Sequence, residues 1–525
     1  MLTRAGCGYR GAGFAPANHR GTQVLNTAND TAAQQRNPGV SGMSLYVPQP
    51  RVPLQAWCEW TGNSWDKVQA VVGRSFRRPA PYEDAYTMAA TAVLRLIRQY
   101  NVDPRNVGQL ALGTESSKDN SAGAVIVRGM VDRELQRLGL PRLSRQLEVP
   151  EFKHACLGGV YALKSALRYV AFDAKGKQAI VVCSDIAEYE RGSSGEQTQG
   201  AGAVAMLVEA DPKLFEVDLA HSGSASDYRG PDFRKPFARH FDQDYGQRSK
   251  RAHDFPVFSG KYSTFAYLDE TGQAVDAMLE RLGISDLDFI NGADGLFFHR
   301  PYHMMPLQAL AFIYARALAR APQPNAEFQA LCEQAGVSAE GVVAECRNQP
   351  DLFGEFVRLG AGADAAQEPH PLTTKLSGVV RKSPAFQKLL AERVNLGTDW
   401  AMELGNLYTA ALPAWIAAGF EQALENNVEL AHAKLYAIGY GSGDASEAIP
   451  LKVVPQWREA AGKIDFRKSL AAATDLSQQQ YEALHDGKHA ELDCPPSDQF
   501  KIARTGSTYE ATFQDLGVDY YEFVP

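Results

Sequence analysis

Cys156 lies between a strand-like run and a helix-like run, a setting that suits a nucleophilic sulfur. The run 151–152 is predicted to end a strand. A helix is predicted to begin at Cys156, because apolar residues then recur at helical spacing: Val160, Leu163, Leu167 and Val170. Unpaired backbone N–H groups and the positive dipole end of such a helix favour a thiolate. The alternative interpretation is a small buried cysteine of the core.

Glu115 and His299 are two further candidates, because Glu115 follows a run predicted to be a buried strand and His299 follows an apolar run. Residues 107–112 precede the polar turn that contains Glu115, and residues 295–298 precede His299. Folds of the α/β class usually place their chemistry at such strand ends. A carboxylate held out of water can remove a proton, and an imidazole can donate a hydrogen bond to a reacting oxygen. A solvated glutamate and a core histidine are the alternative interpretations.

The elements around these residues alternate between strands and helices. In the first half we predict strands at 43–47, 107–112, 178–184 and 202–208, and helices at 83–100 and 124–138. In the second half we predict helices at 262–282, 305–318, 381–396 and 405–424, and strands at 288–290, 434–438 and 520–524, while 295–298 is an apolar run without an assigned structure. This order predicts a mixed α/β sheet with helices on its faces, and the two halves suggest an internal duplication.

Composition limits the classes of function. The chain has 525 residues, 45% of them hydrophobic and 22% charged, which is typical of a globular protein. A net charge of −8 argues against a general role in nucleic-acid binding. No apolar run reaches about 18 residues, so no membrane span is expected. The seven cysteines lack metal-ligand spacing, which predicts free thiols in the cytoplasm and no metal site. Residues 1–38 are predicted to be a flexible N-terminal extension.

Seven motifs, taken in their order along the chain, are more specific than any single residue. They are Gly113-Thr-Glu-Ser116, Ala155-Cys-Leu-Gly-Gly159, Ser184-Asp-Ile-Ala-Glu-Tyr189, Gly195-Glu-Gln-Thr-Gln-Gly-Ala-Gly-Ala203, Phe298-His-Arg-Pro-Tyr302, Gly405-Asn-Leu-Tyr-Thr409 and Tyr440-Gly-Ser-Gly443. Together they resemble the 3-hydroxy-3-methylglutaryl-CoA synthase family of the thiolase-like superfamily. The resemblance covers most of residues 40–525.

The resemblance implies a duplicated, thiolase-like α/β/α/β/α core of five layers, usually in a homodimer. It implies an N-terminal half at 39–211, which carries the glutamate and the cysteine. A C-terminal half at 212–525 would carry the histidine and an asparagine, interrupted by a helical insert at about 320–395. No bound cofactor is implied, since acetyl-CoA is a substrate.

The resemblance also implies a role for each matching residue. Cys156 would take an acetyl group from acetyl-CoA as a thioester, Glu115 would remove a proton from its methyl group, and His299 would polarise the acceptor. A second set would bind or support the substrate: Asn406, Ser442, Tyr189, Asp232 and Gly441. Asn406 has a simpler alternative interpretation as a helix cap. The product would be a 3-hydroxy-3-methylglutaryl-type thioester.

The carrier of the acceptor stays open between acetoacetyl-CoA and acetoacetyl-acyl carrier protein, and the pathway stays open between mevalonate and polyketide biosynthesis. The family usually has a lysine where this chain has Met304, and the spacer between Glu115 and Cys156 is longer than in the family. The basic stretch 229–251 would suit an acidic carrier protein, or it could be a solvated surface. A polyketide β-branching member of the family is therefore one hypothesis.

Two other functions compete with this interpretation. A ketoacyl synthase III-like enzyme would make a Claisen condensation with Cys156, His299 and Asn406, but it would not need Glu115. A non-catalytic protein of thiolase fold would use none of them. The product distinguishes the first alternative, and acetyl transfer to Cys156 distinguishes the second.

Overall fold

The structure is a computed structural model, and it describes residues 37–119, 122–230, 232–235, 255–322, 326–348 and 368–525. Apart from residues 37 and 38, the predicted N-terminal extension lies outside the described residues. Most of the basic stretch 229–251 and the middle of the predicted insert also lie outside them. No helix in the part that is described is long and apolar enough to cross a membrane.

Ten strands pair into one mixed sheet in the order β10-β11-β12-β8-β1-β7-β6-β4-β5, with β9 also paired to β12. The strands of this sheet are β1 (Gly39–Tyr46), β4 (Val107–Gly113), β5 (Glu151–Phe152), β6 (Gln178–Ala187), β7 (Gly200–Glu209), β8 (Phe215–Val217), β9 (Gly223–Ser226), β10 (Gly295–Phe298), β11 (Lys434–Gly441) and β12 (Ala445–Val453). Two small sheets contain β2 (Pro50–Pro53), β3 (Ser75–Arg77), β13 (Thr474–Asp475), β14 (Gln499–Thr505) and β15 (Asp519–Val524).

The helices alternate with these strands as the sequence predicts for an α/β fold. In the first half they are α1 (Leu54–Thr61), α2 (Trp65–Val71), α3 (Ala85–Gln99), α4 (Gly123–Arg137) and α5 (Gly158–Phe172). The second half contains α6 (Gly260–Leu282), α7 (Asp286–Gly292), α8 (Met304–Arg320), α9 (Ala326–Ala335), α10 (Ala339–Arg347), α11 (Pro371–Val380), α12 (Pro384–Arg393), α13 (Thr398–Ala401), α14 (Ala411–Glu425), α15 (Trp457–Ala461), α16 (Phe466–Ala471) and α17 (Gln478–His485).

Strand pairing repeats between the two halves. β4 is parallel to β6, and β6 is antiparallel to β7. In the same way, β10 is parallel to β11, and β11 is antiparallel to β12. Glu115 therefore follows the first strand of one set, and His299 follows the first strand of the other. This repeat is the internal duplication that the sequence suggests.

The helices form layers around the sheet. α3 packs on the first set of strands, and α6 packs on the second set. Between the two sets lie α5, which packs on β4 and β6, and α14, which packs on β10 and β11. The start of α5 also packs closely against the second set. Gly439 of β11 is so near that a Cβ at this position would lie 2.8 Å from the Leu157 side chain and 2.9 Å from that of Val160. The predicted five-layered, thiolase-like core is confirmed.

Three predicted elements differ from the structure. The run 288–290 is not a strand but part of α7, where Ser285 and Asp288 form a capping box that starts a helix. The helix predicted at 381–396 is shorter and runs from Pro384 to Arg393, because Ser383 caps its start and Pro384 lies in its first turn. The helix after Cys156 begins at Gly158 rather than at the cysteine, since Ala155 has a φ of 41° and turns the chain there.

Candidate active site

One cavity of about 300 Å³ contains most of the residues that the sequence singles out. Cys156 comes from the first half, and His299 from the second. The lining includes Tyr189, Asn406 and Ser442 and is otherwise largely apolar, with Val71, Val72, Phe233, Phe258, Pro301, Tyr302, Met305 and Tyr408. A water-excluding wall of this kind strengthens the electrostatic interactions inside it.

Close backbone packing places Cys156 beside Glu115. A Cβ on Gly113, the last residue of β4, would lie 2.5 Å from the Cα atom of Gly159 in the first turn of α5. A Cβ on Gly159 would in turn lie 2.9 Å from the carbonyl oxygen of Thr409. Glycine is needed at both positions because any side chain would separate these segments. As a result, the Cys156 Sγ lies 3.7 Å from Glu115 Oε1.

Asp185, near the end of β6, holds the turn that carries Glu115. Its Oδ1 accepts hydrogen bonds from Thr114 Oγ1 at 3.1 Å, from the Glu115 N–H at 2.8 Å and from Ser116 Oγ at 2.8 Å. Its Oδ2 accepts from the N–H of Thr409 at 3.0 Å and from the Thr409 hydroxyl. Burial raises the pKa of Asp185, and these hydrogen bonds oppose that shift. One carboxylate therefore anchors a turn from each half.

The surroundings of Cys156 favour a thiol over a thiolate. Burial raises its pKa well above the usual value, and the nearby carboxylates of Glu115 and Asp185 raise it further. Lys235 lowers it. These surroundings do not favour the thiolate that the sequence predicts, because burial and the two carboxylates raise the pKa of the thiol. Glu115 is placed to accept the thiol proton.

His299 is a neutral imidazole at the end of β10. Its side chain is buried, and burial lowers its pKa to about 3. Its backbone is fixed by a hydrogen bond from its N–H to the Ile438 carbonyl at 2.7 Å and by one from the Tyr267 hydroxyl to its own carbonyl at 2.7 Å. Its Nε2 has no hydrogen-bond partner among the described residues. A ligand oxygen in the cavity would supply that partner.

Asn406 and Tyr189 meet on another wall of the cavity. The Asn406 Oδ1 accepts a hydrogen bond from the Tyr408 N–H at 2.9 Å, which resembles the capping role considered above. The Asn406 side chain also forms a hydrogen bond with Tyr189. The Tyr189 ring packs edge-on against Phe233, Phe258 and Tyr408. Asn406 thus orients the aromatic wall as well as facing the cavity.

Asp232 and Gly441 lie behind the cavity, whereas Ser442 lines it. Asp232 is buried and accepts hydrogen bonds from the Tyr440 hydroxyl at 3.1 Å and from the Gly443 N–H at 3.0 Å. A Cβ on Gly441 would lie 2.6 Å from the His154 carbonyl oxygen, so this glycine lets β11 approach the Cys156 loop. Both residues therefore position the turn that carries Ser442.

The sequence did not single out several residues of this site. Lys235, noted only as part of a basic stretch, places its Nζ 3.9 Å from Glu115 Oε2. Asp185 and Thr409 were read only as parts of motifs. Met304 lies just outside the cavity, where its Sδ accepts a hydrogen bond from Arg381 at 3.3 Å. Among the described residues, no group of three or more His, Cys, Asp or Glu side chains could hold a metal ion.

The family model, the relatives and the solved structures that follow are all hydroxymethylglutaryl-CoA synthases or HMG synthases. The family model for the N-terminal part of hydroxymethylglutaryl-coenzyme A synthase matches residues 34–213. A hydroxymethylglutaryl-CoA synthase of Aspergillus fumigatus is 27% identical over 508 residues, which cover 94% of this chain and 99% of that protein. The synthase of Saccharomyces cerevisiae is 24% identical over 503 residues, covering 92% and 90%.

Solved structures show the same fold. MvaS in complex with 3-hydroxy-3-methylglutaryl coenzyme A has a TM-score of 0.72 and 24% identity, and the match covers 94% of this chain and all of that one. The HMG synthase of the curacin biosynthetic pathway, in complex with holo donor-ACP, has a TM-score of 0.65 and 19% identity, covering 93% and 100%.

The duplicated thiolase-like core brings a cysteine and an imidazole to one cavity and places a carboxylate beside the cysteine, an arrangement that suits an enzyme. The family model covers only the first half, but the curated relatives match along nearly the whole length. Along nearly its whole length the chain is therefore similar to hydroxymethylglutaryl-CoA synthases.

Proposed function

We propose that this enzyme condenses an acetyl group held on Cys156 with a β-ketoacyl thioester to give a 3-hydroxy-3-methylglutaryl-type thioester. The observation that carries the proposal is the carboxylate of Glu115, 3.7 Å from the sulfur that would hold the acetyl group. The names of the matching relatives support the same reaction. In this proposal acetyl-CoA is the donor, and no bound cofactor takes part.

Acyl transfer would come first. The Glu115 carboxylate accepts the proton of the Cys156 thiol, and the sulfur attacks the carbonyl carbon of acetyl-CoA. The bond to the sulfur of coenzyme A breaks, and the leaving thiolate takes the proton back from Glu115. Glu115 is then a carboxylate again, next to the new acetyl thioester. Because the thioester keeps the methyl protons acidic, the same carboxylate can act a second time.

Carbon–carbon bond formation would follow. Glu115 removes one methyl proton, and the resulting enolate attacks the β-carbonyl carbon of the acceptor. His299 Nε2 would donate a hydrogen bond to that carbonyl oxygen as it becomes an alkoxide, which then takes the proton from Glu115. The neutral form of His299 suits a donor that keeps its proton. Water then hydrolyses the bond to Cys156 and releases the product.

The carrier of the acceptor is coenzyme A or an acyl carrier protein. MvaS was solved in complex with 3-hydroxy-3-methylglutaryl coenzyme A, which is a CoA thioester of the product type. The curacin HMG synthase was solved in complex with its donor-ACP, which shows that carrier proteins can dock on this fold but does not concern the acceptor. Both carriers end in a phosphate-bearing pantetheine arm. Arg381 lies beside the cavity at Met304 and could contact that phosphate. We also propose that the enzyme is a cytoplasmic homodimer, which the family resemblance supports.

Product analysis tests the function and separates the alternatives. The enzyme is mixed with labelled acetyl-CoA and with acetoacetyl-CoA or acetoacetyl-acyl carrier protein, and the product is identified by mass spectrometry and NMR. A branched tertiary alcohol supports the proposal, and the better acceptor identifies the carrier. A β-ketothioester would instead indicate a ketoacyl synthase-like Claisen reaction. No labelled product with either acceptor, and no label on Cys156, would indicate a non-catalytic protein.

A further inference from the structure

Lys235 places an ammonium group beside the carboxylate that would act as the base. The Lys235 Nζ lies 3.9 Å from Glu115 Oε2, while the Cys156 sulfur lies 3.7 Å from Glu115 Oε1. The carboxylate thus lies between a cation and the nucleophile. We propose that Lys235 is a positioning residue of the reaction centre, which keeps Glu115 ionised and aimed at the group on Cys156. This inference rests on the proposed function.

The surroundings of Lys235 restrict where its ammonium can point. Its side chain is 15% exposed, and its Nζ lies 4.7 Å from the centre of the Tyr408 ring. An ammonium over an aromatic face is attracted to the ring. Among the described residues, Glu115 is the only carboxylate within 4.0 Å of this Nζ. A ring and one carboxylate therefore hold the cation inside the site rather than at the solvent surface.

The other charged and titratable groups near Glu115 do not favour its ionisation. Asp185 of β6 accepts the Glu115 N–H and carries a negative charge when ionised. Cys156 contributes a thiol, and Tyr189 and Tyr408 contribute hydroxyls in the aromatic wall. Glu115 itself is only 7% exposed, so desolvation also disfavours its charge. Among the described residues, Lys235 is a cation close enough to oppose these effects.

Glu115 alone gains and loses the proton of the thiol, and later the proton of the methyl group. Without Lys235, the carboxylate would bind a proton at higher pH, and less of it would be in the basic form near neutral pH. The thiol would also lose a neighbouring positive charge that favours the thiolate.

The experiment follows exchange of the acetyl methyl protons with solvent deuterium across a pH series. The proteins are wild type, Lys235→Met, Lys235→Arg and, as a matched control, Lys468→Met, whose side chain is 82% exposed. We expect the acid limb of the exchange profile to move up by about one pH unit or more in K235M. At a fixed pH on that acid limb, the exchange rate of K235M should be about tenfold or more below that of wild type. K235R should restore the limb, and K468M should match wild type.

A second readout does not depend on turnover. Alkylation of Cys156 by iodoacetamide is measured against pH on its own peptide by mass spectrometry. We expect the alkylation profile of K235M to move to higher pH than that of wild type. Should wild type neither exchange protons nor bind acetyl, the proposed function fails, and the alkylation profiles then test Lys235 alone. Unshifted profiles in a K235M protein whose thermal unfolding matches wild type would overturn the inference.

Discussion

Replacing Asp185 by asparagine tests whether one buried carboxylate joins the two halves of the active site. In the wild type, Oδ1 accepts three hydrogen bonds from residues 114–116, and Oδ2 accepts from the N–H and the hydroxyl of Thr409. Asparagine keeps the shape of the side chain but has only one oxygen. It can therefore accept from one set of donors and not from the other.

The size of the effect follows from which donors can rotate. If the asparagine oxygen replaces Oδ1, its NH₂ group faces Thr409. The Thr409 hydroxyl can then donate to the Gly113 carbonyl, 3.0 Å away, and accept from the NH₂ group. The Thr409 N–H cannot turn, and an unpaired buried N–H costs about 1–3 kcal/mol. Removal of a costly buried charge offsets the weakening of the other bonds, so we expect the free energy of unfolding to fall by about 1–3 kcal/mol.

Urea denaturation at neutral pH measures this loss. The control is Asp211→Asn, because Asp211 is exposed and its replacement should change the free energy of unfolding by less than about 0.5 kcal/mol. We also expect kcat to fall by about 10- to 100-fold in D185N, since Glu115 and the Thr409 turn lose their common anchor. A D185N protein with wild-type stability and wild-type kcat would refute the anchoring role of Asp185.

Three further predictions follow from the site. Burial lowers the pKa of His299 to about 3, so the unfolded chain binds this proton near pH 6.5 and the folded protein does not. When the pH is lowered from 7 to 5, the free energy of unfolding of wild type should therefore fall by about 2 kcal/mol more than that of His299→Gln. An equal fall for both proteins in urea denaturation would contradict this. Gly441→Ala should lower kcat about 10-fold or more, because the new Cβ would lie 2.6 Å from the His154 carbonyl oxygen. The control is Gly378→Ala on α11, where the new Cβ meets open space, and this variant should stay active in the same steady-state assay. Arg381→Met should raise the KM for the acceptor thioester about fivefold or more at unchanged kcat. The reason is that the Arg381 side chain has no carboxylate within 4.0 Å among the described residues and contacts only the weak acceptor Met304 Sδ, so it can bind a phosphate. Lys382→Met is the control, and an equal KM for both variants would be evidence against a phosphate contact.

Local patterns in the sequence were enough to predict most of the fold. The buried run before Glu115 is a strand, as its apolar character predicts, and the helical spacing after Cys156 does mark a helix. The apolar run before His299 is also a strand, which the sequence left unassigned. The error at 288–290 arose because a short apolar run fits a strand and a buried helix turn equally well, and the cap at Ser285 decided the outcome.

The site was predictable where its residues belong to motifs and unpredictable where it depends on contacts between distant segments. The sequence could not reveal that Lys235 leaves a basic stretch to approach Glu115, because nothing local distinguishes it from the neighbouring basic residues. Nor could it reveal the protonated thiol of Cys156, since the helix dipole can be read from sequence but the facing carboxylates cannot. Asp185 is a further case, because its partners come from both halves.

The most direct test of the central claim is the acyl state of Cys156 during a single turnover. The protein is mixed with acetyl-CoA, and samples are quenched before and after addition of an acetoacetyl thioester. Each sample is digested, and the mass of the peptide that contains Cys156 is measured by mass spectrometry. We predict that this peptide gains the mass of one acetyl group and then loses it as the branched product forms, with no gain in Cys156→Ala. A Cys156 peptide that never carries acetyl while product still accumulates would contradict the claim that this cysteine holds the acetyl group.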